Sequence, residues 1–325
     1  MPARCFRRLP DAGWRCDVTR IHLALTLDVE QWDSRSRADG YASLVAALAG
    51  VETSWFVSED RTQSFSARYV RLVDRLLAGG HELALHVHFQ DAAFDQMAMD
   101  VATGTSRLRD LGAACVSFRG GGHVFSDRLA DELLALGYRF DSSAVPGLVR
   151  RHHTGAGDTF AAYPHIWSGR PFWWRPGLLE LPTASFPLSR PIAFFWRRFR
   201  LPVLVRQPRA FRAQLRELAA VYPAPDVPVV VLGHADDVEP DPARLSQALD
   251  ELRGDPAIRF VTLARLGSEI ASGGIAAGLR PPPSPLVRAA AVNATRWATG
   301  VSALTARAVR GVRGVTRRTG SGGQS

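Results

Sequence analysis

The sequence predicts an α/β fold on a parallel sheet, open or closed into a barrel, and three observations carry that prediction. Short apolar runs alternate with stretches of helical periodicity from about residue 21 to residue 270, the pattern of strands joined by crossover helices. Of the 325 residues, 46% are hydrophobic and 22% charged. That balance supports a large core and excludes a disordered chain, a fibre or a small disulfide scaffold. Glycines punctuate the ends of the helical stretches, as Gly79-Gly80 and Gly112 do.

The elements follow in order. Ile21–Leu27 reads as a buried strand, Tyr41–Ala49 as a helix and Thr53–Val57 as a second strand. Tyr69–Leu77 has helix spacing, Glu82–His88 is strand-like, and Asp100–Leu111 is helical. Cys115–Arg119, a helix over Asp127–Leu136 and Arg139–Ser142 continue the alternation. Leu178–Pro182, Val227–Leu232 and Arg259–Leu263 are late strands, with Phe211–Val221 and Ala243–Leu252 as helices. Residues Pro146 to Arg175, rich in Gly, His, Trp and Pro, are expected to form a long loop.

Charge is unevenly placed. The net charge is +9, but eight of the 40 basic residues follow residue 279, where Asp and Glu are absent. The remainder carries 32 basic and 31 acidic groups and has no basic stripe, so a nucleic-acid partner is not expected. Residues 1–20 form a basic segment with no apolar stretch of the kind that leads secretion, and no apolar run reaches the roughly 18 residues of a membrane span. With three cysteines at no metal-binding spacing, a cytoplasmic protein is expected.

The division expected is a basic segment over 1–20, an α/β unit over 21–272, a Gly/Pro-rich linker over 273–285 and a basic tail over 286–325. On a helical wheel Leu286, Ala290, Trp297, Val301, Leu304, Ala308, Val312 and Val315 share one face. Arg288, Arg296, Arg307, Arg310, Arg313, Arg317 and Arg318 share the other. Such a segment suits an anionic membrane surface through residues 286–318, placing the protein at the inner face of a membrane; a disordered tail or a helix docked on a partner is the alternative.

In parallel α/β folds chemistry gathers where strands end. The first strand ends in Asp28-Val29-Glu30, whose acids share a face by period two. His86 and His88 share a face in the same way and are spaced to bind one divalent ion. Arg119 precedes Gly120-Gly121-Gly122, where a guanidinium can pair with a carboxylate and bare backbone can approach a ligand. Val229–Leu232 leads through Gly233 to His234, with Asp236 and Asp237 behind it; a histidine there suits general-acid duty. Trp173, Trp174 and Tyr163 offer flat faces for a sugar, or else bury the loop that carries them.

These motifs, in this order, resemble the polysaccharide deacetylases, carbohydrate esterases built on the chitooligosaccharide deacetylase homology domain. Leu25–Glu30 is similar to the first family motif, His81-Glu82-Leu83 with His86 to the second, and Phe118-Arg119-Gly120-Gly121 to the third. Gly137–Ser143 is similar to the fourth, Leu179–Pro182 to a strand that follows it, and Leu232-Gly233-His234 to the fifth. The chain departs at Gln90, where the usual second histidine stands, so His88 is expected to take that role. It also lacks the proline and aromatic residue that usually follow the arginine, and the aspartate that precedes a tryptophan in the fourth motif.

The resemblance implies a distorted (β/α) barrel with seven or eight parallel strands. It implies a divalent metal, Zn²⁺ foremost with Co²⁺ or Mn²⁺ as alternatives, held by Glu30, His86 and His88. Asp28 would be the base, kept anionic by Arg119, and His234 the acid, oriented by Asp141 or Asp236. A backbone N–H near Gly120, Gly121 or Gly122 would face the oxyanion. The activity implied is hydrolysis of an N-acetyl or related amide on a sugar, glycan or glycolipid. Amide or imide hydrolysis on a small molecule and a non-catalytic glycan-binding barrel remain the alternatives.

Overall fold

A computed structural model describes residues 19–29, 35–58, 67–88, 94–123, 127–144, 151–153, 159–161, 170–183, 185–187, 196–198, 201–221, 224–238, 240–275 and 277. Glu30, Gln90, the linker from residue 278 onward and the tail lie outside them, as do residues 1–18.

The strands are β1 (Arg20–Val29), β2 (Thr53–Ser58), β3 (Glu82–Val87), β4 (Ser117–Gly120), β5 (Phe140–Asp141), β6 (Arg151–His153) and β7 (Thr159–Ala161). They continue as β8 (Phe172–Arg175), β9 (Leu178–Glu180), β10 (Ser185–Pro187), β11 (Trp196–Arg198), β12 (Asp226–His234) and β13 (Ile258–Phe260). The helices are α1 (Arg35–Ala47), α2 (Ala67–Ala78), α3 (Phe94–Asp110), α4 (Asp127–Ala135), α5 (Leu201–Arg206), α6 (Pro208–Val221), α7 (Pro242–Arg253) and α8 (Leu263–Ala271).

One sheet runs in the order β12-β1-β2-β3-β4-β5-β9-β8, with β13 also pairing with β1. Every pairing in it is parallel except that of β8 with β9. A lone parallel bridge between Thr183 and Val230 joins the β9 side back to β12, so the curled sheet forms a distorted (β/α) barrel.

Period two sorts the strand residues onto two faces. Leu23, Leu25 and Leu27 of β1 join Val57, Leu85, Phe118 and Val229 in an outer cluster with Leu44 of α1, Val73 of α2 and Leu249 of α7. Ala24, Phe56, Ala84, Phe140 and Val230 form an inner cluster with Leu263, Leu266 and Ile270 of α8. Helix α8 closes the amino-terminal end of the barrel. Ser54 and Glu82, at the starts of β2 and β3, accept the N–H groups of Leu263 (2.7 Å) and Ala264 (2.9 Å), satisfying donors at the helix start. Gly267 makes the fit, because a Cβ there would stand 2.4 Å from the Phe140 ring. The polar mouth is therefore at the carboxyl ends of the strands.

Three local expectations are corrected. The stretch 146–175 is not one loop: β6 and β7 pair as a hairpin, and Phe172–Arg175 is an antiparallel edge strand. A Pro176-Gly177 turn, with Gly177 at φ +94°, joins that strand to β9. The expected strand over Arg259–Leu263 stops at Phe260, because Thr262 caps α8 by accepting the Arg265 N–H at 3.1 Å. Helix α5 was not foreseen; its six residues are too short to show a period.

Candidate active site at the carboxyl ends of the strands

Register brings the polar strand ends together. Asp28 is opposite His234, Ser58 opposite His86, and His86 opposite Arg119. Asp28 and Arg119 are not neighbours in the sheet, yet their side chains meet inside the barrel.

Arg119 is fully buried, and each side of its guanidinium is occupied. Nη1 donates to Asp28 Oδ1 at 2.5 Å, Nη2 to Thr26 Oγ1 and Ser142 Oγ at 3.0 Å each, and Nε to the Ser142 carbonyl at 3.1 Å. The Phe56 ring lies 4.0 Å below it. Thr26 donates in turn to the Val231 carbonyl (2.7 Å), which turns its oxygen lone pairs toward Arg119. Burial by itself would raise the Asp28 carboxyl; the charge of Arg119 and its hydrogen bond, with the nearby imidazoles adding to them, outweigh it and hold the group below the ordinary carboxylate range. Asp28 is therefore anionic at neutral pH and lies within electrostatic reach of both histidines.

His86 is buried, and its Nδ1 lies 3.0 Å from the Arg119 carbonyl. A carbonyl only accepts, so Nδ1 carries the hydrogen and Nε2 presents its lone pair. That Nε2 is 3.1 Å from Nε2 of His88, with the rings nearly perpendicular at 86°. Two imidazole nitrogens bonded to one ion at about 2.0–2.1 Å, and roughly 100° apart around it, stand about this far from each other. The donor atoms thus fit a divalent ion, with the second-layer carbonyl that metal-binding histidines commonly have. Among the described residues no group of three His, Cys, Asp or Glu converges on one point. The expected third ligand, Glu30, and the competing position, Gln90, lie outside those residues.

His234 ends β12 with its side chain 37% exposed, and its Nδ1 is 3.5 Å from Asp237. Gly233 before it is required by packing, since a Cβ there would meet Leu201 of α5 at 2.4 Å. His81 is buried on the other face with Nδ1 2.8 Å from Thr53 Oγ1, and desolvation lowers its pKa.

Several expected roles change. Asp141 does not orient His234. Phe140 belongs to the inner cluster, so Asp141 faces outward, where it accepts the Ser143 hydroxyl at 2.6 Å beside Glu180. Asp236 accepts the Tyr41 hydroxyl, and Asp237 stands beside His234 with Oδ2 3.5 Å from its Nδ1. The Gly120 N–H is bonded to Ser143 Oγ at 2.8 Å, so Gly120 is not an oxyanion donor and that expectation narrows to Gly121 and Gly122. Trp174 is no sugar platform: its ring is buried against Phe172 in the outer cluster and its indole N–H donates to Glu180 Oε2 at 2.8 Å. Trp173, on the other face of β8, is half-buried against the inner cluster. Tyr163 lies outside the described residues.

Sequence reasoning missed Thr26, Phe56 and Ser142, which seat Arg119, and placed Asp237 behind His234 without giving it the orienting role. Thr26 was findable, being two residues before Asp28 on the same face. Phe56 and Ser142 approach from other strands and left no local signal.

No protein-family model matches the chain, and no curated protein does. Solved structures match it in fold. A structure described as a polysaccharide deacetylase from Mycobacterium smegmatis is 14% identical, with 84% of this chain and 98% of that one covered and a TM-score of 0.56. One from Pseudomonas aeruginosa described in the same terms is 13% identical over 80% and 93% of the two chains, with a TM-score of 0.51. An allantoinase is 12% identical over 81% and 94%, with a TM-score of 0.53. The chain has the fold that these proteins share.

Proposed function

We propose that the protein is a metal-dependent hydrolase that removes an acetyl group from the nitrogen of a sugar. The observation that carries this reading is the buried Asp28–Arg119 pair, set beside two imidazoles whose Nε2 atoms converge at 3.1 Å. The shared fold with structures described as polysaccharide deacetylases supports it.

His86 and His88, with Glu30, are the residues that would hold the divalent ion, which when bound polarises the amide carbonyl and acidifies a water. Asp28, kept ionised by Arg119, takes the proton from the attacking water as its oxygen bonds to the carbonyl carbon. An N–H of the turn at Gly121–Gly122 faces the oxyanion. On collapse the C–N bond breaks, and His234 gives its proton to the leaving amine. Asp237 stabilises the imidazolium before that transfer. The products are acetate and the free amino sugar.

A glycolipid substrate at the inner face of a membrane is part of the proposal, supported by the basic amphipathic pattern over 286–318. The allantoinase likeness favours one second reading, hydrolysis of a small cyclic amide. A single screen separates the two: acetate release from N-acetylated sugars and lipid-linked sugars, beside ring opening of cyclic amides, with Zn²⁺ or Co²⁺ added. Acetate release abolished by Asp28→Asn supports the proposal; ring opening alone replaces it with the second reading.

A further inference from the structure

Asp141 and Glu180 are register partners on β5 and β9, both with no exposed surface, and the reaction above uses neither. Glu180 accepts the Ala144 N–H at Oε1 (2.9 Å) and the Trp174 indole N–H at Oε2 (2.8 Å). Asp141 accepts the Ser143 hydroxyl at Oδ1, while its buried Oδ2 has no hydrogen-bond partner among the described residues as long as both carboxyls are ionised. The nearby guanidiniums are committed elsewhere. Arg119 faces the barrel interior and Asp28, Arg175 pairs with Asp131 at 2.7 Å, and Arg139 lies over the Phe140 ring. Two buried carboxylates in contact, with no cation paired to them among the described residues, do not both stay charged at neutral pH.

We propose that Asp141 and Glu180 hold one proton between them, and that this acid–carboxylate pair is a positioning dyad for the Arg119–Gly120 end of β4. The shared proton supplies the partner that Asp141 Oδ2 lacks. The connection to β4 is short. Ser143 donates to Asp141 and accepts from Gly120 N–H, while Ser142, between them, holds Arg119 through its carbonyl and hydroxyl. One three-residue stretch thus binds the dyad on the outer face and the guanidinium on the inner face. Burial raises both carboxyls, and the Asp141 charge raises Glu180 further.

The sign follows from the direction of those shifts. A carboxyl raised in the folded state contributes stability that is complete below its unfolded value and is lost as pH rises through its folded value. Asp141→Asn replaces the shared proton by an amide N–H that donates to Glu180 from the same place, while the amide oxygen still accepts from Ser143. Glu180→Gln is not equivalent, because its amide nitrogen must face the N–H of Ala144 or of Trp174.

The test uses the full chain. Infrared difference spectra against Asp141→Asn should show a protonated carboxyl C=O band in the wild type at neutral pH, and titration to high pH should remove it. Its absence from the wild type at neutral pH overturns the proposal, whether or not a variant folds. In thermal unfolding against pH, Asp141→Asn should lose the alkaline fall in stability that the wild type shows, and Glu180→Gln should be less stable throughout. Identical pH dependence in wild type and Asp141→Asn overturns it as well. The link to turnover rests on the deacetylase reading. If acetate is released, Asp141→Asn should keep the neutral-pH kcat/KM and extend activity to higher pH, whereas Glu180→Gln should lower kcat. If no acetate is released from any substrate, that reading fails while the spectra and unfolding still decide the proton.

Discussion

A Cβ on Gly121 would stand 2.7 Å from Cα, Cγ and Nδ1 of His88, so the bare backbone at residue 121 is what lets that imidazole lie across the end of β4. The glycine run after Arg119 therefore serves the neighbouring strand. Gly121→Ala should displace His88 and lower Zn²⁺ affinity by about 10–100-fold, the usual effect of disturbing a residue that orients a ligand. Calorimetric titration with Zn²⁺ measures it; unchanged affinity would detach His88 from the metal.

His88→Ala should weaken Zn²⁺ binding about as much as His86→Ala, whereas Gln90→Ala should matter far less, a neutral amide being a poor zinc ligand. Titration of the three variants side by side tests the ranking. A large effect at Gln90 with none at His88 would reverse the assignment.

Removing the charge of Asp28 leaves a guanidinium sealed from water. Asp28→Asn should therefore abolish turnover and also destabilise the fold by about 3 kcal/mol, as breaking a buried ion pair does. Denaturant unfolding of the metal-free protein measures the loss. The Asp28 carboxyl is held low, so its contribution is present above the unfolded carboxylate value and is lost as pH falls through its folded value. In Asp28→Asn that acid-side loss should disappear.

Gly233→Ala would push a methyl into Leu201 at the base of α5. A cost of about 1–3 kcal/mol is expected from overpacking, with a shift of His234 beside it. His234→Ala should fold normally and slow turnover by roughly 10²–10⁴-fold, the range for a lost general acid. Comparing kcat and melting temperature in the two variants separates the roles: a Gly233→Ala variant of wild-type stability would contradict the packing.

Burial pushes the Cys115 thiol up to about 11, so it has little thiolate at pH 8. With Cys5 and Cys16 replaced by serine, a thiol reagent should label the folded chain slowly and the unfolded chain at once. Rapid labelling of the native protein would show that the pocket around Cys115 opens.

How much was legible in the sequence follows from the range over which each signal acts. Period two along one strand places Asp28 with Thr26, and His86 with His88, on the barrel interior, because side-chain direction is a property of the local backbone. Strand and helix alternation likewise determines a parallel sheet whose polar residues collect at one end. Partners across strands have no such local cause. Asp141 faces outward by parity with the inward Phe140, but that it meets Glu180 there was decided by how β5 sits between β4 and β9. Asp237 reaches His234, and Asp236 reaches Tyr41, because a single 3-10 turn follows β12. Trp174 became a core residue when the Pro176-Gly177 turn folded β8 back onto β9. The sequence by itself determined which residues stand at the strand ends and on which face of their own strand. Which of them meet was decided by strand register and sheet closure, which depend on contacts far apart in the chain.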